Sequence, residues 1–357
     1  MTSNFLKIKK TKRFSPISIL VLFLVLIVAV FYWQINIPVE KYSQKETIFN
    51  IKKGDGLFDI SSNLKKEGLI NSKFLFNYTA TVRNIQNNLQ AGEYALSPTM
   101  SISKILKIIN QGETVKQEIT IIEGWGLGDI GQYLESKGLF QAEEFFEIAG
   151  FQNLNYPKAK DSPEPKDFSE EFGFLKEKPK NVGLEGYLFP DTYEIDEEEG
   201  IENIIRKTLR NFDKKFNLEL RKKVEEQGRS LYQVLTMASL LEKEVKTYED
   251  KKNVASILWK RLRNGWPLQV DASVVYLTGK KSLSLTKEDL ERDSLYNTYK
   301  YLGLPLGPIC NPGLDSIKAT IYYEENPYWF YLTTPEGETI FSKTLEEHNT
   351  NKWKYIK

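Results

Sequence analysis

The pair of carboxylates in Glu242-Lys243-Glu244 holds the most chemically suggestive spacing in this chain of 357 residues. The run LYQVLTMASLLEKEV at 231–245 is helical in pattern, with Ser230 placed to cap it. At about 100° per residue, Leu231, Val234, Leu235, Ala238, Leu241 and Val245 form one apolar stripe. Glu242 stands roughly 50° from the centre of that stripe, and Glu244 more than 100° away, on the side of solvent. A carboxylate at the rim of a buried helix is partly desolvated, which favours its neutral form and suits it to general acid catalysis. The competing reading is an ion pair of Glu242 with Lys246, four residues on along the same face.

Polar and aromatic groups gather in three further runs, as in a carbohydrate cleft. EGYLFPDTY at 185–193 brings Glu185 and Asp191 together with three aromatic rings around a proline. Gln269 and Asp271 lie where an alternating segment passes into a helix, which Asp271 is also placed to cap. Asn297 and Tyr299 precede a loop rich in glycine and proline at 303–313, which carries Cys310 and Asn311. Each run taken alone is structural as readily as functional. The aromatic run 328–332 and the segment 335–341 read as a core hairpin turning at Glu336-Gly337.

Composition narrows the chemistry. With 41% hydrophobic and 27% charged residues, the chain is globular and long enough for about two domains. A formal net charge of +1 argues against a nucleic-acid partner. Cys310 and His348 are the only cysteine and histidine, so a disulfide framework and thiolate or imidazole zinc sites are excluded. Carboxylates are left to do the chemistry, with no cofactor and no metal called for.

The positioning elements begin with an uncharged apolar run at 17–33, extendable to 37, behind Lys7, Lys9, Lys10, Lys12 and Arg13. The expectation is a single transmembrane anchor at 17–37 after a cytoplasmic tail at 1–16, with the body outside the cytoplasm on a cytoplasmic membrane. A cleaved signal peptide is the alternative, but no small-x-small cleavage site follows. Next comes a repeat with an offset of 70 residues: Gly54, Gly56, Leu57, Asp59 and Ile60 recur as Gly124, Gly126, Leu127, Asp129 and Ile130. Each copy, near 49–78 and 119–148, reads as a strand, a glycine turn and an amphipathic helix, within a region at 45–152. Residues 153–182 are polar and rich in proline, and read as a solvated linker or insertion without a site. The expected architecture is thus α+β: an anchor, β-turn-α modules, and a last domain at 183–352.

Taken in order, the motifs at 185–193, 238–244, 268–271, 296–299 and 303–313, with the closing His348-Asn349, resemble the endolytic murein transglycosylase (YceG-like) family along roughly 45–352. The resemblance implies cleavage within nascent peptidoglycan strands, without water, leaving 1,6-anhydro-muramyl ends, and it makes the glycine-turn-helix units LysM-like. It places the family's essential glutamate on Glu242 and implies cell-wall synthases as neighbours in the membrane. Gln269, Asp271, Asn297, Tyr299 and Asn311 are then the expected sugar-orienting residues, with Glu185 and Asp191 beside them. Ala272 and Cys310 depart from the family pattern. Two other classes stay open: a non-catalytic peptidoglycan-binding scaffold, and a muramidase with Asp271 or Asp191 as second acid. The sequence leaves open whether Cys310 is exposed; a lone thiol outside the cytoplasm has only another chain to pair with.

Overall fold

The glycine-punctuated repeat folds the same way twice, in two different units. The computed structural model describes residues 16–159, 162–196, 199–280 and 285–356. Residues 1–117 with 196–198 form one unit, and residues 118–195 with 199–357 the other. The basic tail lies outside the described residues. The two copies therefore do not make one module.

The first unit contains α1 (Pro16–Asn36), β1 (Thr47–Ile51), α2 (Leu57–Lys66), α3 (Lys73–Val82), β2 (Gly92–Leu96) and α4 (Ile102–Gln111). β1 and β2 are antiparallel, with Thr47 opposite Leu96. Phe49, Ile51, Leu64, Phe76, Tyr94 and Ile105 fill the core between that ribbon and the helices.

The expected membrane anchor is corrected here. The apolar run does form α1, but among the described residues no helix is long and apolar enough to cross a membrane. Phe31 and Ile35 pack against the core of the first unit, and the Phe31 ring lies 5.7 Å from that of Tyr78. What remains of the run, 17–30, spans about 21 Å at 1.5 Å per residue, short of a hydrocarbon layer of about 30 Å. The single-pass topology and the localisation drawn from it fall with the span.

β3 (Lys116–Thr120), which lies mostly in the second unit, is followed there by α5 (Leu127–Ser136) and α6 (Ala142–Ala149), and it pairs with β4 (Thr192–Asp196). In both repeats an aspartate in the first helical turn reaches back to a glycine N–H: Asp59 to Gly56 at 3.2 Å, Asp129 to Gly126 at 2.9 Å. The carboxylate satisfies an orphan donor and sits at the positive end of the helix dipole. Gly54 and Gly124 make the preceding turn with φ of 101° and 83°, a conformation side chains resist.

Residues 153–182 are not a solvated linker. Phe168, Phe172, Phe174 and Leu175 are buried in the main core of this unit. Apolar residues spaced among lysines and glutamates let the segment cover the core while its charges stay in water.

The rest is helical, with one hairpin: α7 (Ile201–Lys215), α8 (Leu218–Glu226), α9 (Leu231–Glu244), α10 (Tyr248–Arg263), α11 (Asp271–Thr278), α12 (Lys287–Leu290), α13 (Leu314–Ile321), β5 (Phe330–Thr333), β6 (Thr339–Ser342) and α14 (Leu345–Tyr355). The fold is α+β, as the sequence implies, without the expected span. α9 is the central element. Ser230 Oγ accepts from Gln233 N–H at 3.2 Å and Gln233 Oε1 accepts from Ser230 N–H at 3.0 Å, a reciprocal cap. Leu231, Val234, Leu235 and Ala238 face one hydrophobic cluster, while Met237, Leu240, Leu241 and Val245 face a second. Covered on both sides, α9 holds its C-terminal turn rigidly. Val245 leaves the helix with φ −143° and ψ 153°, so Glu244 is the last helical residue.

Candidate active site

Glu244 does not face open solvent. Its side chain lines two cavities of the second unit, about 310 Å³ and about 580 Å³, and with Lys243 it belongs to the walls of both. Tyr331 Oη donates to Glu244 Oε2 at 2.9 Å. Burial pushes the Glu244 carboxyl up to about 7, and the negative charge of Asp271 pushes the same way. The Tyr331 hydrogen bond, the Ala272 N–H and the Arg261 charge oppose the rise. A half-buried carboxylic acid poised near neutral pH is what proton donation to a leaving group requires. Helical phase missed it because α9 ends at this residue, and because β5, read as core, turns Tyr331 toward the helix end. The usable signal was the tyrosine in a strand otherwise rich in apolar residues.

Glu242 has a different environment. Its side chain is 10% exposed and pairs with Lys251, itself 6% exposed, at 3.1 Å. Glu242 Oε2 also accepts from Gly313 N–H at 2.9 Å and from Ser316 Oγ at 2.6 Å. The ion pair is thus made with the first turn of α10, and not with Lys246, the partner offered by the competing reading of the sequence. Glu123 stands beside this corner. A methyl group on Gly313 would meet Glu123 Oε1 at 2.1 Å, and burial followed by the charge of Glu242 raises the Glu123 carboxyl.

Of the residues expected at the site, three join Glu244 on the larger cavity: Gln269, Asp271 and Tyr299. Tyr299 Oη donates to Asp271 Oδ1. Gln269 is exposed and holds φ +53°, a left-handed conformation rare outside glycine and concentrated at functional sites. Arg261, missed from sequence, is buried in the wall beneath them. It donates to Leu268 O at 2.6 Å and to Trp329 O at 3.0 and 2.8 Å.

The other four lie elsewhere. Asn297 and Asn311 are wholly buried. Asn297 Nδ2 donates to Leu290 O and Arg292 O, and Asn311 bridges Leu188 N–H and Trp125 O. Both amides are consumed in holding loops, so neither is free to touch a sugar. Glu185, also buried, accepts from Leu127 N–H at 3.1 Å and from Tyr276 Oη at 3.0 Å, and burial raises it to about 8. It ties the N-terminus of α5 to α11, lying behind the smaller cavity and not in it. Asp191 is a surface residue held by Asn211 at 2.9 Å, a bond that keeps its carboxyl below the usual range. Cys310 is buried, which answers the question of exposure that the sequence leaves open. Among the described residues no cluster of three or more His, Cys, Asp and Glu side chains is arranged to hold a metal ion.

The chain as a whole is similar to known proteins. The YceG-like family profile matches residues 49–354. The chain belongs to the YceG-like family. One relative, the endolytic murein transglycosylase of Bacillus subtilis (strain 168), is 34% identical over 327 residues, covering 89% of this chain and 87% of that protein. The endolytic murein transglycosylase of Streptococcus pneumoniae (strain ATCC BAA-255 / R6) is 30% identical over 345 residues. That match covers 90% of this chain and 60% of the pneumococcal protein. A crystal structure of a yceG-like protein from Listeria monocytogenes superposes with a TM-score of 0.56 at 32% identity, over 87% of this chain and 100% of the other.

Proposed function

We propose that this chain is an endolytic murein transglycosylase in which Glu244 is the proton-transferring residue. The supporting observation is that Glu244 lies on the shared wall of two cavities. An enzyme cutting inside a polymer must hold sugar on both sides of the scissile bond, with its acid between them. The role expected for Glu242 therefore moves two residues along α9, to the carboxylate that lines the cavities and whose acidity is weakened.

Neutral Glu244 protonates the glycosidic oxygen between muramyl C1 and the next sugar as the C1–O bond breaks through an oxocarbenium-like state. The muramyl 2-acetamido oxygen shelters C1, as in substrate-assisted glycosidases. Ionised Glu244 then takes the proton of the muramyl C6 hydroxyl, and O6 bonds to C1. Proton count and charge are restored, with no water consumed. Tyr331, within hydrogen-bonding distance, stabilises the ionised interval. Gln269 and Tyr299 orient the sugar, and Asp271 keeps Glu244 protonated between turnovers.

Glu242, in this reading, is a positioning residue that anchors the end of α9 to α10 and α13 through Lys251, Gly313 and Ser316. The test is mass spectrometry of products from uncrosslinked glycan strands. Internal fragments ending in anhydro-muramic acid are expected. Fragments one water heavier indicate a muramidase with Asp271 as second acid, and intact strands indicate a binding scaffold.

A further inference from the structure

We propose that Trp266 is the platform of an additional sugar subsite that extends the larger cavity for long glycan strands. This deepens the transglycosylase reading and rests on it. Trp266 follows the end of α10, where Gly265 turns at φ +66° and Trp266 N–H closes back on Arg261 O at 2.9 Å. In such a C-terminal motif the residue after the glycine usually packs its apolar side chain onto the helix. Here the indole stays 43% exposed.

The exposed ring is nonetheless held firmly. It lies 4.7 Å from the Trp329 ring and 6.3 Å from that of Phe330. Phe330 in turn stacks on His348 at 5.3 Å and 24°, and both of these line the larger cavity. An aromatic surface therefore runs without a break from the cavity wall out to Trp266. Buried Arg261 fastens the two edges together, because its guanidinium bonds both Trp329 O and Leu268 O. The platform and Gln269 accordingly move as one body. Trp266 is three residues from Gln269, at most about 10 Å of chain.

A rigid, half-exposed aromatic beside a polar cleft suits a ligand with an apolar face and polar edges. The C–H face of a pyranose sugar has that form, and a glycan strand leaving the cavity reaches this surface next. The neighbouring charge is Lys260, which sits 5.2 Å over Trp329 and is held by Asn326 O and Tyr328 O. It is thus engaged by the hairpin.

The experiment compares the wild-type chain, Trp266→Ala and Trp266→Tyr on glycan strands of four and eight sugars. Expected is a KM about tenfold higher for Trp266→Ala on the eight-sugar strand, the equivalent of one aromatic stacking contact. kcat and the four-sugar KM, both per folded molecule, should stay put, and Trp266→Tyr should recover most of the loss. An unchanged eight-sugar KM overturns the proposal, as does an equal rise on both lengths, which marks Trp266 as a support of the hairpin. Calorimetric binding of the same strands by Glu244→Gln, with and without Trp266→Ala, separates this from the reading beneath it. Wild-type protein that releases no anhydro ends refutes the transglycosylase assignment, while a length-dependent loss of binding still upholds the subsite. Equal binding with and without Trp266 refutes the subsite.

Discussion

Tyr331→Phe and Asp271→Asn should move the alkaline limb of the pH–rate profile in opposite directions. The rise of the Glu244 carboxyl from its ordinary 4.5 to about 7 corresponds to about 3.4 kcal/mol favouring the acid form. A general acid at 7 is about nine-tenths protonated at pH 6 and about one-eleventh at pH 8, so kcat/KM should fall about tenfold over that interval. The Tyr331 hydrogen bond at 2.9 Å favours the carboxylate. A bond to a charged group is worth about 1.5 kcal/mol or more, so Tyr331→Phe should carry the limb upward by about one unit. The Asp271 charge acts against ionisation, and replacing it by isosteric asparagine should bring the limb down by about half a unit. Asparagine still accepts the Tyr299 hydroxyl, so the cleft is preserved. The assay is kcat/KM for release of anhydro ends between pH 5 and 9. Shifts of the same sign, or a limb indifferent to both changes, refute the placement of the catalytic proton on Glu244.

Three further outcomes concern the scaffold. Glu185, buried and raised to about 8, has a folded value above its unfolded 4.5. Its contribution is thus fully present below about 4.5 and is lost as pH rises toward 8, at about 1.4 kcal/mol per unit. Denaturant titrations should show that slope between pH 5 and 8, and Glu185→Gln should flatten it. Lys251→Met leaves Glu242 unpaired in a buried corner, and should lower unfolding free energy by about 3 kcal/mol in the same titration. Gly186→Ala places a methyl 2.5 Å from Pro308 Cβ at φ +85°, and a drop of about 2 kcal/mol or more in stability is expected by urea denaturation.

Local signals were the legible part of this fold. Ser230 caps α9 and the 336–337 turn closes the β5–β6 hairpin, as their residue types require. The repeat, with Asp59 and Asp129 reaching back to glycine, was visible because both copies obey the same turn chemistry. What stayed hidden depended on tertiary partners. Helical phase cannot say that α9 stops at Glu244, nor that β5 brings Tyr331 against it. Nor does periodicity along one helix choose Lys251 over Lys246, because the winning partner comes from α10. Asn297 and Asn311 resembled ligands since an amide suits a sugar and a loop backbone equally, and only burial decides between them. The 17–37 run was apolar enough to suggest a span, yet Phe31 and Ile35 are taken up by the neighbouring core.

The most direct test of the account is single-turnover release of anhydro-muramyl ends by Glu244→Gln and Glu242→Gln, each normalised to folded protein. Loss of the general acid should slow Glu244→Gln by about 10³-fold with its melting temperature retained. Glu242→Gln should lose stability and keep most of its rate per folded molecule. A Glu244→Gln chain within tenfold of wild type, beside a folded but inactive Glu242→Gln, would contradict the account and return the proton to Glu242.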